Sequence, residues 1–277
     1  MKNYFVYILT DDRDKIMFDA VQDMKFGYVL AGLIWSVALG FTAGNYACSL
    51  VHRLPRGRLL LDKKPYCGNC GTLLQVRDLF PVISALNLKH RCRYCGAPFP
   101  LSHTWTELLV GLLFALAFFE YNFSERYLLV VGLGTFLIIL AAIEANEGVI
   151  MEKILLCVAV FGIVNRTLVD GSLYPFLDGG LLALLAGAAL WRKQVKRVGH
   201  VYALPPVVRL LAVGGICVGV HGLPVFFALF ITPHWLRGLV RLIRGRTPPS
   251  GGDWPITIPF GLAVILPIIY PQLMMLR

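Results

Sequence analysis

Two Cys-x-x-Cys pairs, Cys67-Gly-Asn-Cys70 and Cys92-Arg-Tyr-Cys95, lie in a basic loop flanked on both sides by apolar runs long enough to cross a bilayer. Such a chain has to fold in two solvents. A thiolate ligand must be deprotonated, and the Cys-x-x-Cys turn lets two sulfurs grip one ion. The pairs are separated by 21 residues and each is followed by glycine, Gly71 and Gly96, so together they offer the four ligands of a closed tetrahedral site. Cys67, Cys70, Cys92 and Cys95 are therefore the metal candidates, and four thiolates at this spacing favour zinc over iron. Two disulfides or four buried thiols are the rival readings, the first disfavoured if the loop faces a reducing cytosol.

The rest of the composition agrees with a membrane chain. Hydrophobic residues make up 57% of the sequence and charged residues 15%, against roughly 25% charge in an average soluble protein. Residues 1–26 are mixed in charge and have no apolar core, so no cleaved signal peptide is expected and the first apolar run stays as an anchor. The expected fold is an all-α polytopic membrane protein. About eight spans are predicted: Tyr28 to Leu50, Leu101 to Phe119, Tyr127 to Ile143, Ile154 to Val169, Leu177 to Trp191, Val207 to Val220, Leu223 to Leu236 and Ile256 to Leu276. The sixth and seventh are short and divided only by His221-Gly222, so seven is the alternative count.

Lysine and arginine loops are retained in the cytoplasm, and the charge here is segregated accordingly. The loop from His52 to His103 holds nine Lys or Arg against two Asp. Arg192, Lys193, Lys196 and Arg197 collect in a second loop, and Arg237, Arg241, Arg244 and Arg246 in a third. With eight spans and the N-terminus outside, all three fall on one side. The net charge of +10 thus reads as an orientation signal and a lipid-facing one; the basic residues lack the aromatic-studded stripe of a nucleic-acid surface. Four regions follow: an N-terminal segment 1–26, a first transmembrane helix 27–51, a zinc-ribbon-like cytoplasmic four-cysteine module 52–103, and a polytopic membrane domain 104–277. A module of about 50 residues holds little core, and a bound metal would staple it.

Reading outward from the cysteines, His52-Arg53-Leu54-Pro55 ends the first span. After the first Cys pair come Pro81-x-Ile83-Ser84, Arg91-Cys-x-x-Cys95-Gly-x-Pro98, and Glu107-Leu108 opening the second span. This order closely resembles the N-terminal part of the type IV prepilin peptidases. Weaker similarity includes Arg209-Leu210-Leu211-Ala212 and Ile258-Pro259-Phe260-Gly261, so the match runs from about Gly40 to the C-terminus. The resemblance implies a bacterial inner-membrane protein that cleaves leader peptides from type IV prepilins and pseudopilins and methylates the new N-terminus with S-adenosylmethionine. Glu107 is the candidate contact for substrate or methyl donor, although an acid near a helix N-terminus is also favoured by the helix dipole.

Proteolysis in that family uses two aspartates, one ionised to activate water and one protonated to donate to the scissile carbonyl. By resemblance the first position is Glu144, in Ile143-Glu144-Ala145-Asn146-Glu147-Gly148-Val149-Ile150-Met151-Glu152, with Glu152 at the second, non-catalytic acid. The second catalytic position aligns with Val207, which carries no proton. No Asp or Glu lies between Asp178 and Asp253. Glu144 with Asp253 is the remaining pair, Asp253 being equally readable as a turn residue in Ser250-Gly251-Gly252-Asp253, and Glu144 as an interfacial acid capping its helix.

The scattered His200, His221 and His234 lack zinc-protease spacing. Gly40, Gly44 and Ala47, like Gly179, Gly180 and Gly187, form small-residue faces suited to helix packing. Cys48, Cys157 and Cys217 are expected to pack inside spans. Three functions remain: a family member that has lost proteolysis and keeps binding, scaffolding or methyl transfer; an active peptidase working through Glu144 and Asp253; and a zinc-ribbon membrane adaptor.

Overall fold

The computed structural model describes residues 12–57, 69–72, 91–97, 101–171, 174–198, 206–244 and 255–269. Seven α-helices carry most of them: α1 (Asp12–Arg53), α2 (Leu101–Tyr121), α3 (Glu125–Glu147), α4 (Glu152–Asp170), α5 (Tyr174–Val198), α6 (Pro206–Arg244) and α7 (Thr257–Ile269). Four stretches are long and apolar enough to cross a membrane: Gly27–Arg56, Thr104–Tyr121, Glu125–Glu147 and Pro206–Pro233. Leu177–Ala189 and Thr257–Ile269 are shorter apolar helices. The eight expected segments thus reduce to four full-length candidates and two short ones among the described residues. Within α4, the charges of Glu152, Lys153, Arg166 and Asp170 dilute a 19-residue helix.

Turn chemistry sets the short connections. Ser124 accepts the Tyr127 amide to start α3, and Gly148 ends that helix at φ 70° with its N–H on Glu144 O. Gly171 closes α4 the same way.

The α1–α2 pair shows why small residues recur. Gly32, Ser36, Gly40, Gly44 and Cys48 fall every fourth position of α1, hence along one stripe. A Cβ on Gly40 would sit 2.9 Å from Gly111 Cα, and one on Gly44 would sit 2.8 Å from Glu107 Cα. The helices therefore meet backbone to backbone, antiparallel, as the glycine spacing predicted. Ser36 reinforces the contact: its Oγ donates to Phe114 O at 2.8 Å, and Tyr127 Oη of α3 lies 2.8 Å from the same hydroxyl. The face containing Gly179, Gly180 and Gly187 does the equivalent for α5 and α6, where a Cβ on Gly179 would meet Gly219 Cα at 2.8 Å.

Helix α6 covers the expected sixth and seventh segments and is broken at Gly219, with φ 71° and ψ 175°. That conformation is essentially restricted to glycine. Phe226 closes on Gly214 so tightly that a Cβ there would overlap its ring. In a straight helix, positions twelve apart stand about 18 Å from each other. The helix therefore folds back, and Phe226 stacks on Phe230 and meets Phe260 of α7 edge-on. The buried Arg166 of α4 presents its guanidinium to Gly219. The break falls two residues before the expected His221-Gly222 division.

Candidate functional site

The fold gathers chemistry at one end of the bundle, where α1 and α3 end and α2, α4, α6 and α7 begin. Arg56, just beyond α1, donates to Glu147 Oε1 at 2.9 Å. Arg209 on the first turn of α6 pairs with Glu152 at the start of α4. Glu144 of α3 accepts at Oε2 from the Thr257 amide at 2.8 Å and from Thr257 Oγ1. Thr257 is fully buried and opens α7. Glu144 is thus a cap supplied by a neighbouring helix, taking up one of the orphan amide donors of α7.

The energies of these contacts differ. Side-chain exposures of 33% and 75% leave the Arg209–Glu152 pair well solvated, so it is worth about 1 kcal/mol or less. Two hydrogen bonds to one carboxylate oxygen, one from a buried donor, are worth about 2 kcal/mol or more. Val207 stands at the position that resemblance assigns to the second acid, on the same turn of α6 as Arg209 and 36% exposed. Asp253 lies outside the described residues.

Glu107 is different from these acids. It lies in the second turn of α2, is 5% exposed, and its Oε2 has no hydrogen-bond partner among the described residues. Gly44 packs on its Cα. Cys48, also buried, faces it while hydrogen-bonding Thr106.

The cysteine knuckles form the third element. The sulfurs of Cys70, Cys92 and Cys95 all lie within 4.8 Å of one another, compatible with ligands of one tetrahedral ion, whose sulfurs stand about 4 Å apart for metal–sulfur bonds of about 2.3 Å. Gly71 and Gly96 adopt φ of 69° and 70°, the left-handed conformation glycine tolerates best. Gly96 N donates to Cys92 O and Cys92 N to Ala97 O, fixing the second knuckle. Cys67 lies outside the described residues.

Sequence reading singled out Glu107, Glu144, Val207 and these cysteines but missed Thr257 and Arg166. Thr257 has no local signature, because its partner is 113 residues away. Arg166 did carry one, a charge inside an apolar segment.

A polytopic helical protein with a cysteine knuckle and an acid-rimmed end is the class this architecture defines. Residues 38–121 match the model of the bacterial peptidase A24 N-terminal domain. A prepilin leader peptidase/N-methyltransferase from Burkholderia pseudomallei is 27% identical over 246 residues, covering 77% of this chain and 78% of its own. One of the same description from Bacillus subtilis is 25% identical over 209 residues, covering 75% and 82%. A third, from Myxococcus xanthus, is 27% identical over 125 residues, or 45% of this chain and 37% of its own length. No solved structure matches. The chain is similar to the prepilin peptidase family, over residues 38–121 by the domain model and over about three quarters of its length by the Burkholderia and Bacillus proteins.

Proposed function

We propose that this protein is a bacterial inner-membrane member of the family that engages type IV prepilins or pseudopilins without performing aspartyl proteolysis. The observation that carries this reading is the state of the rim acids. Glu144, at the family's first catalytic position, spends its Oε2 on capping α7, and Glu152 is paired with Arg209. Val207 offers nothing to split the titration of a dyad. Co-expression with a type IV prepilin in a host lacking its own peptidase tests this, with leader removal and N-methylation read by mass spectrometry. Retained leader beside an active control enzyme is the expected result.

A second reading keeps proteolysis through Glu144 and Asp253. It is favoured by connectivity, since Asp253 precedes Thr257, the partner of Glu144, by four residues, a tether of about 14 Å at full extension. In that case Glu144→Gln and Asp253→Asn would each abolish cleavage.

The cysteine module faces the cytoplasm in this account. Cys70, Cys92 and Cys95, with Cys67 as fourth ligand, would hold zinc, which would staple the module and do no chemistry on substrate. Mass spectrometry of the intact protein should find one zinc per chain, lost in Cys92→Ser. For S-adenosylmethionine, the buried, unmatched Oε2 of Glu107 suits the ammonium of that molecule, and the methyl group would be its contribution when bound.

A further inference from the structure

We propose that Arg166 is a positioning residue for the rim: its guanidinium, seated against the break in α6, holds the two halves of that helix at a fixed angle. The inference goes beyond the reading above and does not depend on whether proteolysis is missing.

Arg166 is 7% exposed and follows the apolar run 154–164 of α4. An ionisable side chain kept at such a depth marks a role beyond packing. Glu152 at the start of α4 pairs with Arg209 on the first turn of α6, so the two helices start level. Arg166 lies fourteen residues beyond Glu152, about 21 Å, and Gly219 ten beyond Arg209, about 15 Å. The guanidinium nonetheless reaches Gly219, so the side chain points back toward the rim, the direction helical Cβ atoms take. It does not reach outward for a head group, as a snorkelling arginine does. Its charge stands about 15 Å from the rim, near the middle of a hydrocarbon layer of about 30 Å.

The break explains what a cation does there. A helix that stops leaves its last carbonyls without amide donors, and hydrocarbon supplies no water to replace them. Pro224, five residues past the break, has no N–H, so Val220 O loses its helical donor as well. A guanidinium brings N–H donors and a positive charge to the negative end of the first half-helix. Nη2, Cζ and Nε of Arg166 lie 2.7, 3.0 and 3.0 Å from where a Cβ on Gly219 would stand, so the guanidinium occupies the place of the side chain that glycine lacks. Nε has no acceptor among the described residues; in this account the terminal nitrogens take the freed carbonyls. The angle matters because each half of α6 serves one side of the rim. The first carries Val207 and Arg209, the partner of Glu152. The second stacks Phe226 on Phe230 and sets Phe226 edge-on to Phe260 of α7, three residues beyond Thr257, which holds Glu144. A change of angle at Gly219 therefore moves the first turns of α6 and α7 relative to each other.

The full chain in detergent micelles offers two readouts. One is the rate at which N-ethylmaleimide labels Cys217, mapped by peptide mass spectrometry; that thiol is fully buried two residues before the break and donates to Val158 O. The other is the distance between nitroxides on Val207 and Ile258, both partly exposed, attached through ketone side chains that spare the native cysteines. Arg166→Met should speed labelling at least about tenfold, the loss of one bond to a charged group, and should broaden the Val207–Ile258 distance. Arg166→Lys, which keeps the charge, should restore both readouts at least in part. Gly219→Ala, whose Cβ would displace the guanidinium, should act like Arg166→Met and carries the test where that variant does not fold. Parental labelling in Arg166→Met overturns the inference. So does faster labelling with an unchanged Val207–Ile258 distance, which would reduce Arg166 to local packing. A match of Asp170→Asn to Arg166→Met also overturns it, by assigning the guanidinium to an ion pair within α4. None of these outcomes bears on leader cleavage, so the reading above stands or falls separately.

Discussion

The α1–α2 interface and the rim formed by α3, α4, α6 and α7 treat their acids in opposite ways. In the first, Glu107 is buried with one oxygen unmatched, against a stripe of glycines that brings two backbones together. In the second, Glu144, Glu147 and Glu152 each have a partner: Thr257, Arg56 and Arg209. A buried polar group left unsatisfied by its own fold calls for an explanation, whereas a group satisfied by its fold is part of the frame. The family model falls on the first region, residues 38–121. The rim is where Glu144 and Val207 replace the aspartates that resemblance leads one to expect. The difference teaches that acids at one end of a bundle can be treated in opposite ways, because they lie in different helix pairs.

The contrast is most sharply broken by closing the glycine stripe. Gly40→Leu would drive a side chain into the backbone of Gly111 and the Cβ of Phe114, and should destabilise the protein by about 3 kcal/mol, the upper end for overpacking, read as a fall in melting temperature in detergent. Next comes the rim cap. Glu144→Ala should cost about 2 kcal/mol by removing both bonds to Thr257, and Thr257→Val about half as much, since its amide still donates. A double-mutant cycle between them should give a coupling of about 1 kcal/mol or more; additive effects would mean that Glu144 is not a cap.

A smaller effect is expected at the solvated pair. Glu152→Ala should change stability by no more than about 1 kcal/mol, and added salt should shrink the difference. The smallest change in stability belongs to Glu107. Glu107→Gln should melt within about 0.5 kcal/mol of the parent, since the amide keeps the shape of the side chain and breaks no hydrogen bond at Oε2. A loss as large as that of Glu144→Ala would place Glu107 in the frame and erase the contrast.

Much of this was readable from sequence because it depends on local pattern. Gly40, Gly44 and Ala47 pack as their spacing indicated, and Cys48 and Cys217 are buried within helices. The glycines that the sequence places after the Cys pairs take the left-handed conformation. What escaped were pairings across long sequence distances. Nothing near Thr257 announces that it holds Glu144, and the Glu152–Arg209 pair joins two motifs read separately. The division of α6 was legible to within two residues, at His221-Gly222, but the residue that breaks, Gly219, was not. Gly214, Gly215, Gly219 and Gly222 all lie in one apolar run, and hydropathy cannot say which of them leaves the helix.

The central claim is that the family's proteolytic step is missing from this chain. Purified protein incubated in detergent with a type IV prepilin, followed by intact-mass measurement of the pilin, tests it most directly. The account predicts full-length prepilin after an incubation in which an active family enzyme cleaves completely. Cleavage at the leader junction by this protein, abolished in Glu144→Gln, would contradict it and make Glu144 a working acid despite its bonds to Thr257.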